Sequence, residues 1–289
     1  MLFKKIDFSN VKQLYPYLYS CDYRLCDYTP AVLLLWGDFY DYRFCIDNDA
    51  LFIRQTNGGK TQYFLPITDK KNLPAALNAL NAHCLEQKEI LHVVAIPENY
   101  TDVVQNTFGA TPTDMGIADA DYAYDAQSLA TLKGHKYNSK RNHVNRFKKD
   151  YPTAEFVRLT ADDVPAIESF LDEYHKDDDS ATYNYDIAAV RRLVLKMGDY
   201  AFLYGGIKID GKIAAFSLGD RIGDTLFVHV EKALRNVSGL YETITHLFAK
   251  TFCDDARLIN REEDMGDEGL RASKQSYHPV LLKKYSLKL

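Results

Sequence analysis

The chain of 289 residues repeats itself. Phe3-Lys-Lys-Ile-Asp-Phe-Ser-Asn-Val11, with Leu14 and Tyr17-Leu18 behind it, returns 153 residues later as Phe156-Val-Arg-Leu-Thr-Ala-Asp-Asp-Val164, with Ile167 and Phe170-Leu171 behind it. Each copy reads as a short strand, a polar cap (Ser9 or Asn10; Thr160 to Asp163) and a helix with apolar spacing of three and four. An echo at about half the chain length restricts the fold to two units of one architecture. The elements behind each copy agree with this. After the second, Leu203 to Ile209 alternates, Asp210-Gly211 turns, Lys212 to Leu218 returns, and Arg221 to Asp224 leads into Thr225 to Val230, an antiparallel meander. A helix from about Val237 to Phe252 comes next, then a strand at Arg257 to Asn260 and a polar helix near Asp267 to Gln275. After the first copy, strands are expected at 42–46, 50–55 and 61–66, broken by Asp47-Asn-Asp49 and Asn57-Gly-Gly59. A helix at Leu73 to Gln87, a strand at Leu91 to Ile96 and a helix at Glu98 to Thr107 complete that series. The expectation is two α/β (α+β) units with mixed sheets: 1–130, a basic connecting helix at 131–150, and 151–289.

Charge excludes some partners. With 35 basic and 40 acidic side chains the net charge is −5, so no global field recruits a polyanion and any such partner needs a local patch. The run Ala31 to Trp36 falls far short of the ~20 apolar residues of a spanning helix, and no signal peptide is readable. Cysteines 21, 26, 45, 84 and 253 show no Cys-x-x-Cys spacing, so neither a disulfide framework nor a zinc site is expected. A cytoplasmic protein, or one peripheral to a membrane, fits.

The local patch is Leu132 to Lys149. It holds seven Lys or Arg and two His with no carboxylate before Asp150. Tyr137, Val144 and Phe147 can share one helical face, leaving Lys136, Lys140 and Arg141 elsewhere. Such a helix is either a solvated connector or an anion-binding surface. Asn138, Asn142 and Asn145 are poor helix formers whose amides suit ligand contacts. Lys140, Arg141 and Asn142 are therefore candidate substrate-binding residues.

Two further stretches can carry chemistry. Glu231-Lys-Ala-Leu-Arg-Asn-Val-Ser-Gly239 joins the second meander to its helix, and a helix N-terminus favours anions. It offers Arg235, Asn236, Ser238 and Gly239 as candidate donor-phosphate contacts, where the matching Asp69-Lys-Lys-Asn-Leu-Pro74 has no glycine. Glu231 lies on a strand where Phe227 and His229 point the same way, and it is a candidate proton acceptor. His229 is read as a core histidine. The second stretch, Asn260 to Pro279, is dense in acid, but its spacing is not that of a calcium loop. Asn260, Arg261 and Asp264 stand at a strand's carboxyl end, where ligands collect in open α/β sheets. Asp264 is a second candidate base, Tyr277 a candidate proton donor, and Arg271 and Lys274 candidate substrate contacts. No metal site is expected.

Three segments together resemble one family: Lys133-Gly-His-Lys-Tyr with Lys140-Arg-Asn-His and Phe147; His229-Val-Glu-Lys232; and Asn260-Arg-Glu-Glu-Asp-Met-Gly with Leu270-Arg, Ser273-Lys and Tyr277-His-Pro279. They are similar to uncharacterised bacterial proteins related to the C-terminal domain of phosphatidylglycerol lysyltransferase, over nearly the whole chain. The resemblance implies a tandem pair of GNAT-like (N-acetyltransferase-like) folds. It implies transfer of an aminoacyl group from charged tRNA to an amine or hydroxyl of a lipid headgroup or small molecule, or, as in more distant GNAT enzymes, of an acyl group from acyl-CoA. The usual GNAT loop reads Arg/Gln-x-x-Gly-x-Gly/Ala, whereas Arg235-Asn-Val-Ser-Gly-Leu240 has Ser at the first Gly position and Leu at the last. A non-catalytic module binding a nucleotide or RNA is the rival expectation.

Overall fold

The computed structural model describes residues 1–174 and 181–289. The chain forms two compact units. One comprises Met1–Tyr122, Glu262–Ala272 and Leu281–Leu289, the other Ala123–Arg261 and Ser273–Val280.

The echo is an echo of sheets. In the first unit, Lys4–Lys5 pairs antiparallel with Arg43–Asp47, which continues through Ala50–Asn57 to Lys60–Phe64 as a meander. The next neighbour, His92–Pro97, is parallel to Lys60–Phe64, as a helical crossover (Leu73–Glu86) requires. In the second unit, Glu155–Arg158, Leu203–Ile209, Lys212–Ile222 and Thr225–Ala233 are antiparallel in turn. Leu258–Asn260 is then parallel to Thr225–Ala233, reached through the helix Leu240–Phe252. Strand order and polarity are the same in both, the duplicated mixed α/β fold expected.

The sixth strand explains the composition of the units. In the first sheet, His92–Pro97 takes an antiparallel partner from the chain's end, Lys284–Lys288. In the second, Leu258–Asn260 takes one from Ala123, Tyr124 and Asp125. Each sheet is thus completed from outside its own linear half, and an edge that would otherwise lie open is paired. The boundary expected between residues 130 and 151 falls instead at 122/123, and the last 28 residues are shared between the units.

Local chemistry accounts for the elements. In the second copy Thr160 and Asp163 form a reciprocal capping box ahead of the helix Val164–Tyr174, whose Ile167, Phe170 and Leu171 are buried. In the first copy Leu14 and Leu18 are the buried counterparts of Ile167 and Leu171, and Tyr17, opposite Phe170, is half-buried. The run Ala31 to Leu35 belongs to a buried helix, Pro30–Leu35, whose cap Thr29 accepts from the Val32 N–H.

The basic segment is a helix, Asn138–Asp150, that buries Val144 and Phe147. Phe147 joins Ile207, Ala214, Ala215, Ala233, Leu240 and Ile244 in the core of the second unit. The next helix begins at Leu240, not Val237, and its cap is Gly239 rather than Ser238. Gly239 has φ +77°, and a Cβ there would stand 2.5 Å from the His143 carbonyl oxygen. Only glycine permits that backbone and that approach. Gly239→Ala is expected to cost about 1–3 kcal/mol. Scanning calorimetry should show Tm falling by ~2–4 °C per kcal/mol; an unchanged Tm would show that the helix contact yields freely.

Candidate active site

The strands Thr225–Ala233 and Leu258–Asn260 pair at three positions, Thr225 with Leu258, Leu226 with Ile259 and Phe227 with Asn260. Beyond them the longer strand runs on alone on that side, and Arg261 is the first residue past the split. Its guanidinium reaches back across the opening, donating from Nη2 to Glu231 Oε1 at 2.8 Å. The sheet's carboxyl edge therefore opens around a buried ion pair. The alternation behind Glu231 is the one expected: Phe227 and His229 share its face, their rings parallel at 6.1 Å, and His229 is a core residue bonded to Asp220 at 3.2 Å.

Other groups of the same unit converge here. The Thr245 hydroxyl, on the helix Leu240–Phe252, donates to Glu231 Oε1 at 2.5 Å and is also 2.8 Å from the Tyr241 carbonyl. Arg261 lies between aromatic rings, with Cζ 5.2 Å from the Tyr277 centroid and 5.8 Å from that of Tyr124. The Lys140 ammonium sits 4.1 Å over the Tyr277 ring and 3.6 Å from Glu242. Lys274 donates to the Arg261 carbonyl at 2.6 Å, and the Tyr124 hydroxyl donates to the Lys274 carbonyl at 2.9 Å.

Burial sets the electrostatics. Desolvation pushes the Tyr277 phenol above its usual range, so it stays protonated through neutral pH. Desolvation lowers the Lys140 ammonium; Glu242 opposes that, while Arg261 adds to it. Burial opposes charge on Arg261 too, but Glu231 and the phenols of Tyr124 and Tyr277 outweigh it. The Glu231 carboxylate, the neutral Tyr277 phenol, the Thr245 hydroxyl and the cations of Arg261 and Lys140 thus share one edge, which is the inventory of acid–base chemistry on a polar carbonyl.

The structure gathers Glu231, Arg261, Tyr277, Lys140 and Lys274 out of the residues read from sequence. Asn260 is buried in its strand pairing. Asp264 and Arg271 are not in this cluster; both belong to the first unit. There Asp264 accepts from Arg271 Nε and Nη2 at 2.7 and 2.9 Å, from Tyr122 at 2.6 Å and from the Gly266 N–H at 2.8 Å. The Arg271 hydrogen bond, with those of Tyr122 and Gly266, holds this carboxyl well below the usual range despite its burial. A carboxylate with four donors is a poor proton acceptor, and it fixes the 264–271 turn.

Arg141 is likewise engaged. Leu132 and Gly134 adopt positive φ, 51° and 94°, and their carbonyls accept from Arg141, which also meets Asn138. Asn138 thus serves its own helix, whereas Asn142 stays exposed. Arg235, Asn236 and Ser238 are exposed, with Arg235 5.9 Å from the Tyr174 ring. The His143 carbonyl oxygen fills the side of Gly239 on which a Cβ would stand, so packing accounts for the glycine.

Thr245, Glu242 and Tyr124 were not anticipated. A threonine beside the apolar stripe Leu240, Ile244, Leu247 and Phe248 was the available signal for the first.

Residues 21–288 match the family described as phosphatidylglycerol lysyltransferase, C-terminal. A crystal structure of a conserved protein of unknown function from Bacteroides thetaiotaomicron is 31% identical, with 99% of each chain covered and a TM-score of 0.90. L-PGS from Bacillus licheniformis is 14% identical, covering 99% of this chain and 92% of its own, at a TM-score of 0.69. An uncharacterized protein of Mycoplasmoides gallisepticum is 23% identical over 232 residues, 78% of this chain and 74% of its own.

Proposed function

The chain belongs to the family of phosphatidylglycerol lysyltransferase C-terminal domains, and on that footing we propose that it transfers an aminoacyl group from charged tRNA to an amine or hydroxyl, with a lipid headgroup as the acceptor class. The observation that supports this most is the ion pair of Glu231 and Arg261 at the split sheet edge, ringed by Thr245, Tyr277 and Lys140. In this reading the acceptor attacks the ester carbonyl directly. Glu231 takes its proton, Lys140 and Arg261 stabilise the negative charge growing on the carbonyl oxygen, and Tyr277 protonates the departing ribose oxygen. The amino acid passes to the acceptor as an amide or ester, and the tRNA leaves with a free hydroxyl. Among the described residues no helix is long and apolar enough to cross a membrane, so a lipid acceptor would be met at a surface.

The test is transfer itself. Purified protein is incubated with tRNA charged with radiolabelled amino acids and with vesicles containing anionic glycerophospholipid or soluble glycerophosphate esters. Label should move into the acceptor fraction. Saturable, salt-sensitive tRNA binding with no product from any donor and acceptor pair would favour the non-catalytic module instead.

A further inference from the structure

We propose that the outward face of the helix Asn138–Asp150, with the turn ahead of it, is where the RNA strand of the donor docks on its way to the edge of Glu231 and Arg261. The inference rests on the proposed reading of that edge and gives its donor a path over the protein.

Folding sorts the basic run into two sets. Lys140 and Arg141 are half-buried and turned to the protein, Lys140 to the Tyr277 ring and Glu242, Arg141 to the carbonyls of Leu132 and Gly134. Lys133, Lys136, Arg146, Lys148 and Lys149 are exposed. Arg146 lies 3.3 Å from Asp150, and the four lysines form no ion pair among the described residues. Asn142, Asn145, Arg146 and Lys149 are three and four residues apart and share one face, opposite the buried Val144 and Phe147. Arg141 ties the 132–134 turn to the first turn of the helix, so Lys133 and Lys136 are held at its start.

Charge and chemistry select the occupant. The chain has a net charge of −5, whereas residues 132–149 hold no carboxylate. The molecule as a whole does not attract a polyanion, and this face does. An RNA strand offers phosphates to the lysines and sugar hydroxyls to amides, and between the cations stand Ser139, Asn142 and Asn145, all exposed. An anionic membrane is the other extended polyanion, but a helix lying in its surface inserts an apolar face. Here the apolar residues Tyr137, Val144 and Phe147 are buried in the protein itself. Position agrees with RNA. Lys140 reaches the Tyr277 ring from this same helix, and Lys149 stands about 14 Å further along it. A strand whose 3′ end enters the edge thus runs beside cations from the first turn onward.

The experiment measures binding of purified tRNA by fluorescence anisotropy over a salt series, for wild type and for Lys133→Ala/Lys136→Ala/Lys149→Ala. Each phosphate neutralised on a single strand contributes about −0.7 to the slope of log K against log[salt], so the triple variant should lose about 2 from that slope. Its affinity at about 0.15 M salt should drop on the order of 10-fold. Asn142→Ala/Asn145→Ala should weaken binding and keep the slope, since amides release no counterions. In transfer, the triple variant should raise KM for charged tRNA with kcat retained. Ultraviolet crosslinking of tRNA to the wild type should label the peptide 133–149, a readout that needs no variant. A triple variant with wild-type affinity and slope, or crosslinks confined to other segments, overturns the docking face. So does wild type that ignores tRNA and binds anionic glycerophospholipid vesicles through these lysines, because the face then belongs to a membrane. tRNA binding that follows the lysines, beside no transfer from any donor, upholds the face and counts against the transfer reading alone. Transfer with tRNA binding indifferent to the lysines does the reverse.

Discussion

Glu231→Gln should abolish most transfer while leaving the fold intact. Glutamine has the shape of glutamate, and its carbonyl oxygen can still accept from Arg261 and Thr245, which now meet at Oε1 at 2.8 and 2.5 Å. What it lacks is a site for the nucleophile's proton. General-base catalysis contributes roughly 10²–10⁴-fold, so kcat should fall by that factor with little change in KM. The assay is transfer of labelled amino acid at saturating charged tRNA, with a thermal melt as control. A variant within threefold of wild type would remove Glu231 from the chemistry.

The largest effect on stability is expected at a different ion cluster. In the first unit the Lys284 ammonium is enclosed by Asp27 at 2.7 Å, Asp121 at 2.9 Å and Glu263 at 2.5 Å, with the Cys26 sulfur at 3.6 Å. Cys26 also donates its backbone N–H to Asp121 at 2.7 Å. Burial disfavours the charge on Lys284, but Asp121, Asp27, Cys26 and Glu263 outweigh it, and its pKa is well above the ordinary lysine value. Lys284→Met leaves three carboxylates without their cation, and breaking a buried ion network in this way costs about 3–5 kcal/mol. Urea unfolding should show that loss as a lower midpoint with the slope kept. Because the folded-state pKa of Lys284 is raised, its contribution is complete at neutral pH and is lost only as pH climbs above the ordinary lysine range.

Glu263 adds a pH signature of the same sense in a lower window. Burial pushes it from 4.5 up to about 7, against the pull of Lys284. Between those values the folded state holds a proton that the unfolded chain has lost, so stability falls as pH rises from 4.5 to 7. Glu263→Gln should flatten the curve in that window, and a slope unaffected by it would assign the dependence elsewhere.

The strands of both meanders were legible because their turns carry their own chemistry. Asp210-Gly211 closes the hairpin with φ of 48° and 80°, and the strand Leu203–Ile209 has the limits that its alternation gives. Glu231 and Arg261 were legible as candidates because polar residues at a strand's carboxyl end have few structural reasons to be there. Other features depend on contacts that no local pattern encodes. The exchange of sixth strands requires Lys284–Lys288 to find His92–Pro97 across the length of the chain. Lys284 lies in a lysine-rich terminal strand and looks solvated until three distant carboxylates surround it. Gly239 reads as a ligand cradle, yet its missing side chain admits the His143 carbonyl. Arg141 reads as a phosphate contact, yet the positive-φ turn before its helix leaves carbonyls that need its N–H groups. In each case a residue type with two uses was assigned by tertiary packing to the structural one.

The most direct test is a crystal structure with a non-hydrolysable 3′-aminoacylamido nucleoside, the amide counterpart of the charged end of tRNA. Its carbonyl should lie within hydrogen-bond reach, about 2.6–3.2 Å, of Lys140 or Arg261, with its 3′ nitrogen toward Tyr277 and Glu231 facing the open side of the carbonyl carbon. An analogue bound beside Asp264 and Arg271, or one that leaves the pairing of Glu231 and Arg261 untouched and out of reach, would contradict the account.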